Sequence, residues 1–249
     1  MNSIRRSAMQ GFIEKNNIVT IKQLQELFPG VSLMTIHRDL DALEAAGEVV
    51  KFRGGAKSIH HAMDLEFRVR EQDNNQGKLT IARKALTLLQ PHSSIFLDAS
   101  TTNLALARNM PDMHINVITT GPSIALELCK LHNPVVTLCC GTVNRKNLAL
   151  SGQNTLDMLE KVNIDLAFIG VSGCSAEAGF TCGTEADMLV KRMVIRKART
   201  SVIMCGADKF KCLMPYTFAK PEDVQYFVSD KPVPESFAEV ARQANLRVL

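Results

Sequence analysis

The sequence predicts an α/β protein whose chain begins with a winged helix-turn-helix. Two observations lead to this fold class. Three segments with helical apolar spacing and a hairpin pattern fill residues 1–57, whereas short apolar runs alternate with helical patterns over residues 77–249. Residues 58–76 are polar and charged, and they indicate a linker that is partly helical. We therefore expect a small first domain, a linker, and a second domain with a mostly parallel sheet flanked by helices.

The first two helices are predicted from apolar residues at helical spacing. The first helix has apolar positions at Ile4, Ala8, Phe12 and Ile13. Thr20 is a suitable N-cap for a second helix, because its hydroxyl can accept a hydrogen bond from a free backbone N–H. The inward face of this helix is predicted to consist of Ile21, Leu24, Leu27 and Phe28, and the Pro29-Gly30 pair ends it.

The third helix and the hairpin complete the first domain. Ser32 is its predicted cap and Gly47 its stop. Its buried row is predicted to be Leu33, Ile36, Leu40 and Leu43. After it, "EVVKF" has the composition of a strand, and "RGGA" is expected to form the turn or edge that follows. Helix, helix, helix and hairpin in this order are typical of a winged helix-turn-helix, whose last helix enters the DNA major groove.

The start of the third helix carries side chains that can contact DNA. Met34 and Thr35 can reach base edges or thymine methyls, and His37 and Arg38 can reach guanine or phosphate. On the hairpin, Lys51 and Arg53 are expected to contact phosphate or the minor groove. The alternative is a three-helix bundle with a solvated charged face, which the helical pattern alone would favour.

The second domain alternates strands and helices. Its predicted strands are Ser94–Ala99, Ile115–Thr120, Val135–Cys140, Leu166–Val171, Ser201–Gly206 and Tyr226–Asp230. Its predicted helices are Leu79–Leu89, Asn103–Asn109, Pro122–Leu131, Thr155–Val162 and Glu185–Ala198. Strands that are apolar on both faces belong in a parallel sheet covered on two sides.

Composition narrows the class of protein. The 249 residues are 46 % apolar and carry a formal charge of +4, an excess too small and too evenly spread to indicate nucleic-acid binding by itself. The seven cysteines form no C-x-x-C pair and no zinc-spaced cluster, so we expect buried reduced thiols and neither a metal nor a cofactor. No signal peptide and no membrane-spanning apolar run are evident, so we expect a cytoplasmic protein without a membrane partner.

The segment "DASTT", Asp98–Thr102, lies between a predicted strand and a predicted helix. At such a junction free backbone N–H groups and the helix dipole favour an anion, and the hydroxyls add donors, so phosphate is a suitable guest. An ordinary capped turn explains the same residues equally well. Other strand ends, however, also carry polar or glycine-rich segments, namely Thr119–Ser123, Cys140–Gly152, Ile169–Asp187 and Cys205–Phe210. In open α/β sheets these ends converge on the ligand crevice.

The third helix and hairpin resemble the N-terminal signature of the DeoR family of bacterial transcriptional regulators. The matching residues are Val31, Ser32, Thr35, Ile36, Arg38, Asp39, Leu40, Leu43, Gly47, Gly54, Gly55 and Ala56. His37 departs from the signature, because the family usually has Arg there, and this departure affects base preference. The resemblance implies binding to a double-stranded DNA operator through Ser32, Met34, Thr35, His37, Arg38, Lys51 and Arg53.

The second domain resembles the sensor domain of the same family, which is similar in fold to ribose-5-phosphate isomerase and binds phosphorylated sugars. The matches are Asp98, Ser100, Thr101, Thr102, Asp165, Phe168, Gly170, Gly173 and Glu185. The resemblance implies that Ser100, Thr101, Thr102 and Lys209 hold phosphate, and that Asp98, Arg145 and Glu185 face the sugar hydroxyls. Thr120, Gly141 and Gly173 complete the predicted ligand site.

Several positions depart from the family pattern. The usual D-x-S-K-F is replaced by Gly206–Phe210, T-N-S by Thr119-Thr120-Gly121, and G-G by Cys140-Gly141. The phosphate end of the predicted pocket is therefore kept, whereas the end that selects the sugar is altered. The basic residues of the helix after Glu185 are expected to form a solvated face, namely Lys191, Arg192, Arg196 and Lys197.

These features predict a repressor of a carbohydrate-use operon, controlled by a phosphorylated sugar. Reading operator half-sites requires a homo-oligomer, a dimer or tetramer, with the second domain as its interface. The alternative is a sugar-phosphate isomerase with an accessory domain, for which Asp98, Glu185 and Asp208 are candidate bases. We predict no enzymatic activity, because nothing marks a base and acid pair. An architectural DNA-binding protein is disfavoured by the hydroxyl and basic residues at the strand ends.

Overall fold

The structure is a computed structural model that describes residues 2–16, 18–52, 54–58, 67–210 and 212–249. The chain divides into two compact units, Met1–Leu65 and Glu66–Leu249. Within the predicted linker, residues 59–66 lie outside the described residues. Its later part forms a short helix, Phe67–Gln72, and the start of the next helix at Asn75, both in the second unit.

The first unit is a winged helix-turn-helix, as the sequence predicts. Its helices are α1 (Asn2–Asn16), α2 (Ile21–Leu27) and α3 (Leu33–Ala45). Its strands, β1 (Ile18–Thr20), β2 (Val49–Phe52) and β3 (Gly55–Ser58), form an antiparallel sheet in the order β1-β3-β2. The short strand β1 was not predicted, and it pairs with the second strand of the wing.

The predicted caps of α2 and α3 are confirmed. The Thr20 hydroxyl accepts a hydrogen bond from the backbone N–H of Gln23, whose side chain accepts one in return from the Thr20 N–H. The Ser32 hydroxyl accepts from the Thr35 N–H at 3.3 Å. Gly47 follows α3 with φ of 75°, a left-handed conformation that glycine adopts without strain, and α3 ends there as predicted.

Three details of the predicted core of the first unit are wrong. On α2, Leu27 was predicted on the inward face but is 40 % exposed, because it is the last residue of the helix. On α1, Met9 and Ile13 are buried, whereas Ile4 is 76 % exposed and Ala8 is also exposed. On α3, the buried residues are Ile36, Asp39, Leu40 and Leu43, but Leu33 is 46 % exposed. The buried face of α1 is set by ion pairs. Arg5 and Arg6 pair with Asp39 of α3 and so turn Met9, on the same face, towards the core, while Ile4 and Ala8 face away from it. Leu33 lies outside the core because it is the first residue of its helix.

The second unit is built on a seven-stranded sheet. Its strands are β4 (Ser94–Leu97), β5 (Asn116–Thr119), β6 (Val135–Leu138), β9 (Ile164–Gly170), β12 (Ala198–Cys205), β14 (Tyr226–Ser229) and β15 (Arg247–Val248). They lie in the order β15-β14-β12-β9-β4-β5-β6, and every pair of neighbours is parallel. The predicted parallel sheet is confirmed.

Helices cover both faces of this sheet. They are α4 (Phe67–Gln72), α5 (Asn75–Leu86), α6 (Thr101–Arg108), α7 (Pro122–Leu128), α8 (Gln153–Glu160), α9 (Glu185–Lys197) and α10 (Glu235–Gln243). Alternate residues of one strand belong to separate cores: Phe96 packs in one apolar cluster, and Ile95 and Leu97 pack in the other. Within the described ranges, no helix is long and apolar enough to cross a membrane.

Small antiparallel strands were missed in the two long loops at the carboxyl ends of the sheet. The second loop forms β10 (Gly173–Ser175) and β11 (Gly179–Cys182), which join β13 (Tyr216–Ala219). The first forms a hairpin of β7 (Thr142–Val143) and β8 (Leu150–Ser151). Their small residues predicted loops, but Cys174, Phe180 and Cys182 are buried in the core beside β13.

The cysteines do not all follow the prediction of buried thiols. Cys139, Cys174, Cys182 and Cys205 are buried, whereas Cys129 and Cys140 are exposed and Cys212 is half-buried. Burial raises the pKa of Cys139 and of Cys182 to about 12. The buried thiols therefore remain protonated near neutral pH and serve as small apolar groups.

Candidate functional site

The helix α3 presents an exposed face to solvent. Met34 is 73 % exposed, and His37 and Arg38 are exposed as well. Positions three and four residues apart lie on one side of a helix, so these three side chains form a single surface. Thr35 is half-buried, and its hydroxyl lies 2.9 Å from that of Ser32. The two hydroxyls thus stabilise the start of the helix through which the exposed face is presented.

A buried carboxylate fixes α3 against α1. Asp39 is 1 % exposed and accepts hydrogen bonds from the Nε of Arg5 at 2.5 Å and of Arg6 at 3.0 Å. Burial opposes the charge of Asp39, but the hydrogen bonds from the two arginines outweigh it and lower its pKa. Asp39 matches the family motif, but the sequence analysis assigned it no role. Its place among the apolar residues of α3 was a signal for a buried charge with a partner.

The wing carries the remaining predicted DNA contacts. The side chain of Lys51, on β2, pairs with Asp41 of α3, and its backbone N–H donates to Glu44 at 2.9 Å. Both contacts hold the wing against α3. Arg53 lies outside the described residues.

In the second unit, Asp98 lies at the carboxyl end of β4 and organises that end of the sheet. It is 3 % exposed, and its carboxylate accepts from the Ser100 N–H at 3.0 Å, the Asn103 amide at 2.7 Å and the Gly170 N–H at 2.9 Å. These contacts join the start of α6 to the end of β9. Asp98 is thus already occupied by protein donors.

Lys191 is buried beside Asp98, contrary to the predicted solvated face. It is 4 % exposed, its Nζ lies 3.2 Å from a carboxylate oxygen of Asp98 and 3.2 Å from one of Asp187, and it donates to the Gly170 carbonyl at 2.7 Å. Burial would lower the pKa of Lys191, but the two carboxylates outweigh it and raise the pKa above its ordinary value. Arg192 and Arg196, on the same helix, are exposed as predicted.

The start of α6 has the geometry of an anion site. Ser100 is the N-cap and accepts from the Asn103 N–H at 3.1 Å. The N–H groups of Thr101 and Thr102 belong to the first turn, where a helix supplies no backbone acceptor. A Cβ at Gly170 would lie 2.5 Å from the Ser100 Cβ, so only glycine lets β9 approach this turn. The predicted cradle is therefore assembled around Ser100.

Three cationic side chains, Arg70, Lys78 and Lys209, carry charges that interact with one another or with Asp98, and the sequence analysis identified only Lys209. The Lys209 Nζ lies 2.7 Å from an Asp208 carboxylate oxygen. Burial would lower the pKa of Lys209, but Asp208 outweighs it and raises the pKa. Lys78 lies near enough to Lys209 and Arg70 for their charges to lower its pKa further, after burial, to about 8.

Arg70 belongs to α4, and its charge interacts with those of Asp187 and Asp98. Burial is nevertheless the larger effect and lowers the pKa of Arg70. The sequence analysis missed Arg70 and Lys78, and the only signal for either was its position in the chain. Lys78 is the fourth residue of α5, the helix that precedes β4, and Arg70 lies in the polar stretch that was interpreted as a linker.

The start of α5 is fixed to the same end of the sheet. Asn74, its N-cap, donates from its amide to Asp230 at 3.4 Å, and Asp230 accepts from the Ala207 N–H at 2.8 Å. Asp230 follows β14, and Ala207 follows β12. These contacts hold Lys78 beside the turn that carries Lys209.

The other predicted ligand residues are distributed around this rim. Thr120 follows β5 and is buried, and its carbonyl accepts from Leu150 at 2.9 Å. Arg145 is exposed in the β7–β8 hairpin, and Glu185 is exposed as the first residue of α9. The predicted residues that the structure brings into direct contact are thus Asp98 and Ser100.

Two predicted ligand residues are glycines whose positions are explained by packing. A Cβ at Gly173 would lie 2.1 Å from the Cys212 carbonyl oxygen, and one at Gly141 would lie 2.2 Å from the Thr155 hydroxyl. Gly141 also lines a shallow surface depression of about 260 Å³ beside the start of α8, together with Thr142, Ser151, Gly152, Gln153 and Asn154. In the part of the chain that the structure describes, no cluster of three metal-binding side chains occurs.

Comparison with protein families gives two matches. The profile described as "DeoR-like helix-turn-helix domain" matches residues 5–62, and that described as "DeoR C terminal sensor domain" matches residues 73–231. Together they cover most of the chain. They confirm the resemblance that the two sets of motifs indicate.

Curated relatives extend over nearly the full chain. The HTH-type transcriptional regulator GlpR of Haloferax volcanii is 31 % identical, covering 88 % of this chain and 87 % of its own. The HTH-type transcriptional repressor GlcR of Bacillus subtilis is 27 % identical, covering 98 % and 95 %. The L-fucose operon activator of Escherichia coli is 27 % identical, covering 93 % and 96 %. Among solved structures, ribose 5-phosphate isomerase A of Methanocaldococcus jannaschii has a TM-score of 0.41 at 16 % identity, covering 55 % of each chain.

Proposed function

Because this chain belongs to the DeoR family of DNA-binding transcriptional regulators, we propose that it represses a carbohydrate-use operon and that a phosphorylated sugar controls it. The observation that carries the proposal is the pairing of two sites in one chain. The first unit exposes a helix face suited to DNA, and the second has an anion cradle at the start of α6, capped by Ser100.

The exposed face of α3 supports major-groove binding. Met34 supplies apolar contact for a thymine methyl, and Arg38 and His37 supply donors for guanine or for phosphate. Asp39 and the capping pair Ser32 and Thr35 hold the helix so that these side chains keep one orientation. A DNA phosphate would replace Asp41 as the partner of the Lys51 ammonium, and Arg53 stays a proposed phosphate contact.

The cradle at α6 supports a phosphate monoester. Its oxygens would accept from the N–H groups of Thr101 and Thr102 and from the Ser100 hydroxyl. Lys78 and Lys209 would supply the counter-charge from the rim. Two negative charges on the ligand would offset the burial that lowers the pKa of Lys78.

The sugar would then face outward from the cradle. Asp98 was expected to contact sugar hydroxyls, but three donors and Lys191 already surround its carboxylate. We therefore assign Asp98 to positioning the cradle. Arg145 and Glu185, both exposed, stay the proposed contacts for sugar hydroxyls, and Thr120, buried after β5, stays a proposed member of the site.

An isomerase function is disfavoured by how the candidate bases are engaged. Asp98 pairs with Lys191 and Asp208 pairs with Lys209, while Glu185 is exposed at the start of α9. General base catalysis requires a carboxylate placed against the carbon acid of a bound substrate. We propose that the chain has no isomerase activity, and an assay of ribose 5-phosphate conversion tests this directly.

We further propose that the chain acts as a homodimer or a dimer of dimers through its second unit. The edge strand β6 supports this, since Val135 is 62 % and Leu138 is 42 % exposed there, and Leu126 on α7 is 73 % exposed. An exposed apolar sheet edge is a site for association with another chain. A two-fold dimer would also match the symmetry of an operator with two half-sites.

Fluorescence anisotropy on the chain's own upstream promoter tests the proposal. The panel is ribose 5-phosphate, glucose 6-phosphate and fructose 1-phosphate, each with its unphosphorylated sugar as control. We expect one sugar phosphate to change the dissociation constant for DNA by at least fivefold, the lower end of common allosteric couplings. The sensor assignment fails if no phosphate ester changes DNA binding or if the free sugars act equally well.

The sign of regulation requires its own measurement, because the relatives include both a named repressor and a named activator. Transcription in vitro from the same promoter provides it. Repression predicts that the chain lowers transcript yield and that the effective ester restores it. A rise in transcript on adding the chain would contradict the repressor assignment and leave the DNA-binding assignment intact.

A further inference from the structure

The turn that follows β12, at the carboxyl end of the sheet, is held in place by its neighbours. It is a single turn of 3-10 helix, Ala207–Lys209. Its first N–H group donates to Asp230 at 2.8 Å, and its last donates to the Gly206 carbonyl at 2.9 Å. The ring of Phe210, the next residue, packs against that of Phe237 with 5.1 Å between their centroids. The backbone of this turn is therefore fixed at both of its ends.

The carboxylate of Asp208, in the middle of the turn, fills the space above Gly206. A Cβ at Gly206 would lie 2.5 Å from one Asp208 carboxylate oxygen, and the other oxygen lies 2.7 Å from the Lys209 Nζ. The backbone of Gly206 has φ of −68° and ψ of 145°, which any residue can adopt. Glycine is therefore required at this position by the neighbouring carboxylate and not by the backbone.

This arrangement exchanges two positions of the D-x-S-K-F motif that the chain resembles. In the motif the carboxylate belongs to the first residue, which is Gly206 here, and the hydroxyl belongs to the third, which is Asp208. The chain has a carboxylate at the third position instead of the first. Because the Asp208 carboxylate lies where a side chain of residue 206 would begin, both arrangements bring a negative charge to the same end of β12.

The end of β12 lies within reach of a ligand held at the start of α6. The strand β9 separates β12 from β4, and neighbouring strands are about 4.8 Å apart, so the carboxyl ends of β12 and β4 are about 10 Å apart. The cradle follows β4, and Asp208 follows β12. The Asp208 side chain is 37 % exposed. A sugar phosphate with its phosphate in the cradle can therefore extend its sugar to Asp208.

Asp208 and Lys209 offer different groups to such a ligand. A carboxylate accepts hydrogen bonds, which sugar hydroxyls donate, whereas it repels a second anionic group on the ligand. The Lys209 ammonium has three N–H groups, so it can keep Asp208 and also donate to an ester oxygen. Because Lys209 is then shared between Asp208 and the ester phosphate, a further anion on the ligand would face the Asp208 carboxylate.

We propose that Asp208 is a specificity-determining residue of the effector site, whose carboxylate accepts hydrogen bonds from sugar hydroxyls and excludes esters with a second anionic group. This inference rests on the proposed function and adds the class of effector, a phosphate monoester of a neutral sugar. Gly206 belongs to the same arrangement, because a residue without a side chain leaves the Asp208 carboxylate its place. Aldonate phosphates and sugar bisphosphates therefore bind more weakly than the matched monoesters.

Matched pairs of ligands test this on the full-length chain. Each pair shares one carbon skeleton: ribose 5-phosphate with 5-phosphoribonate, glucose 6-phosphate with 6-phosphogluconate, and fructose 1-phosphate with fructose 1,6-bisphosphate. Calorimetry gives the dissociation constant of each ligand, and the ratio of the anionic to the neutral member measures the selectivity. Asp208→Asn keeps the size of the side chain and removes its charge. Glu222→Gln is the matched control, because Glu222 is exposed in another 3-10 turn, Pro221–Asp223, which precedes β14 at the opposite end of the sheet.

We expect the wild type to bind at least one neutral ester about tenfold more tightly than its anionic partner, because like charges placed together are costly. Asp208→Asn should bring this ratio to within about threefold of unity, since the amide has no charge to repel the second anion. Glu222→Gln should keep the wild-type ratio.

The exchange between positions 206 and 208 gives a second test. Gly206→Asp alone should weaken binding of the neutral ester, since its Cβ would lie 2.5 Å from the Asp208 carboxylate and its own carboxylate would add a like charge. In an Asp208→Ser background the same substitution has room. The double variant should therefore recover the selectivity that Asp208→Ser loses, which a purely structural role of Asp208 in its own turn does not predict.

The possible failures are distinct. If the wild type binds an anionic partner at least as tightly as the neutral ester, or if Asp208→Asn keeps the selectivity, the role of Asp208 is refuted and the sensor function stands. If none of these ligands binds the wild type, the proposed function and this inference are both wrong. A double variant that is no more selective than Asp208→Ser would refute the exchange between the two positions.

Discussion

Single buried charges in this protein hold elements together more than they contact solvent. Asp39 and Asp98 are both nearly inaccessible, and each accepts hydrogen bonds from more than one donor. Removing one partner of such a set leaves the others buried and unpaired, which costs more than the net value of the interaction. Each aspartate is therefore a positioning residue for the side chains around it.

Asp39→Asn should destabilise the first unit and weaken DNA binding. Hydrogen bonds to charged groups contribute about 1.5 to 3 kcal/mol each, so we expect the free energy of unfolding to fall by about 2 kcal/mol. Urea denaturation and promoter anisotropy measure the two effects. Glu26→Gln, exposed on α2, is the matched control. Equal losses in both variants would show that Asp39 has no special structural role.

The pH dependence of the Asp39 contribution follows from its lowered pKa. A carboxylate with a lower pKa in the folded chain than in the unfolded chain stabilises the fold above the unfolded value, about 4. That stabilisation is lost as the pH falls through the folded value. The difference in unfolding free energy between wild type and Asp39→Asn should accordingly shrink under acidic conditions.

Lys78 gives a second prediction, because burial opposes its charge and lowers its pKa. Burial lowers its pKa to about 8, Asp73 and Asp208 raise it, and Lys209 and Arg70 lower it. A bound phosphate would favour the charged form, so binding should take up a proton once the pH exceeds about 8. We expect the affinity for the effective ester to fall by up to about tenfold per pH unit above this value, measured by calorimetry.

Lys78→Arg is the control for this titration. Arginine stays protonated over the same range, so the affinity of the variant should be nearly independent of pH. Without ligand, the free energy of unfolding changes with pH in the opposite direction to the ester affinity. Because the unfolded chain keeps the Lys78 proton up to about pH 10.4, the free energy of unfolding should rise between about pH 8 and that value. Identical pH profiles for wild type and Lys78→Arg would remove Lys78 from the site.

Strands with a regular apolar pattern could be predicted from the sequence, whereas strands that depend on a pairing partner far along the chain could not. All six strands predicted for the second domain occur, since apolar runs of this kind require burial on both faces. The strands β10 and β11 were missed because Gly173 and Gly179 lower the strand signal, and the neighbouring β13 supplies the pairing partner only in three dimensions.

The candidate site was predictable where it depends on a local motif. The capped turn at Ser100 follows directly from its sequence and position after β4. Lys191 was wrongly expected in solvent because its burial depends on Asp98, which lies 93 positions earlier in the chain, as the two residue numbers show. Arg70 and Lys78 were missed for the same reason, since their charges meet the cradle only after α4 and α5 pack.

For the whole molecule, the two edges of the seven-stranded sheet differ in a way that predicts how copies associate. The edge strand β6 exposes Val135 by 62 %, and the opposite edge strand β15 exposes Val248 by 42 %. Exposed apolar neighbours occur at both edges, but they are more exposed at β6, where Leu126 is 73 % and Leu138 is 42 % exposed, than at β15, where Leu249 is 38 % exposed. We therefore place the proposed dimer contact at β6.

Val135→Lys should convert the dimer to a monomer and lower operator affinity at least tenfold, because a charge in an apolar contact is desolvated without a partner. Sedimentation equilibrium and promoter anisotropy measure these outcomes. Val248→Lys is the control and should leave both unchanged. A wild-type monomer, or a Val135→Lys protein that remains dimeric, would exclude this edge as the interface.

The strand order also has a consequence for synthesis on the ribosome. The strands and helices of the first unit are contributed by residues 2–58, so they are all available early. In contrast, β4 lies between β5 and β9, and its second edge has no partner until Ile164–Gly170 has been made. Domains fold as units from the N-terminus during translation. The part that reads DNA is therefore complete in each nascent chain well before the part that governs it.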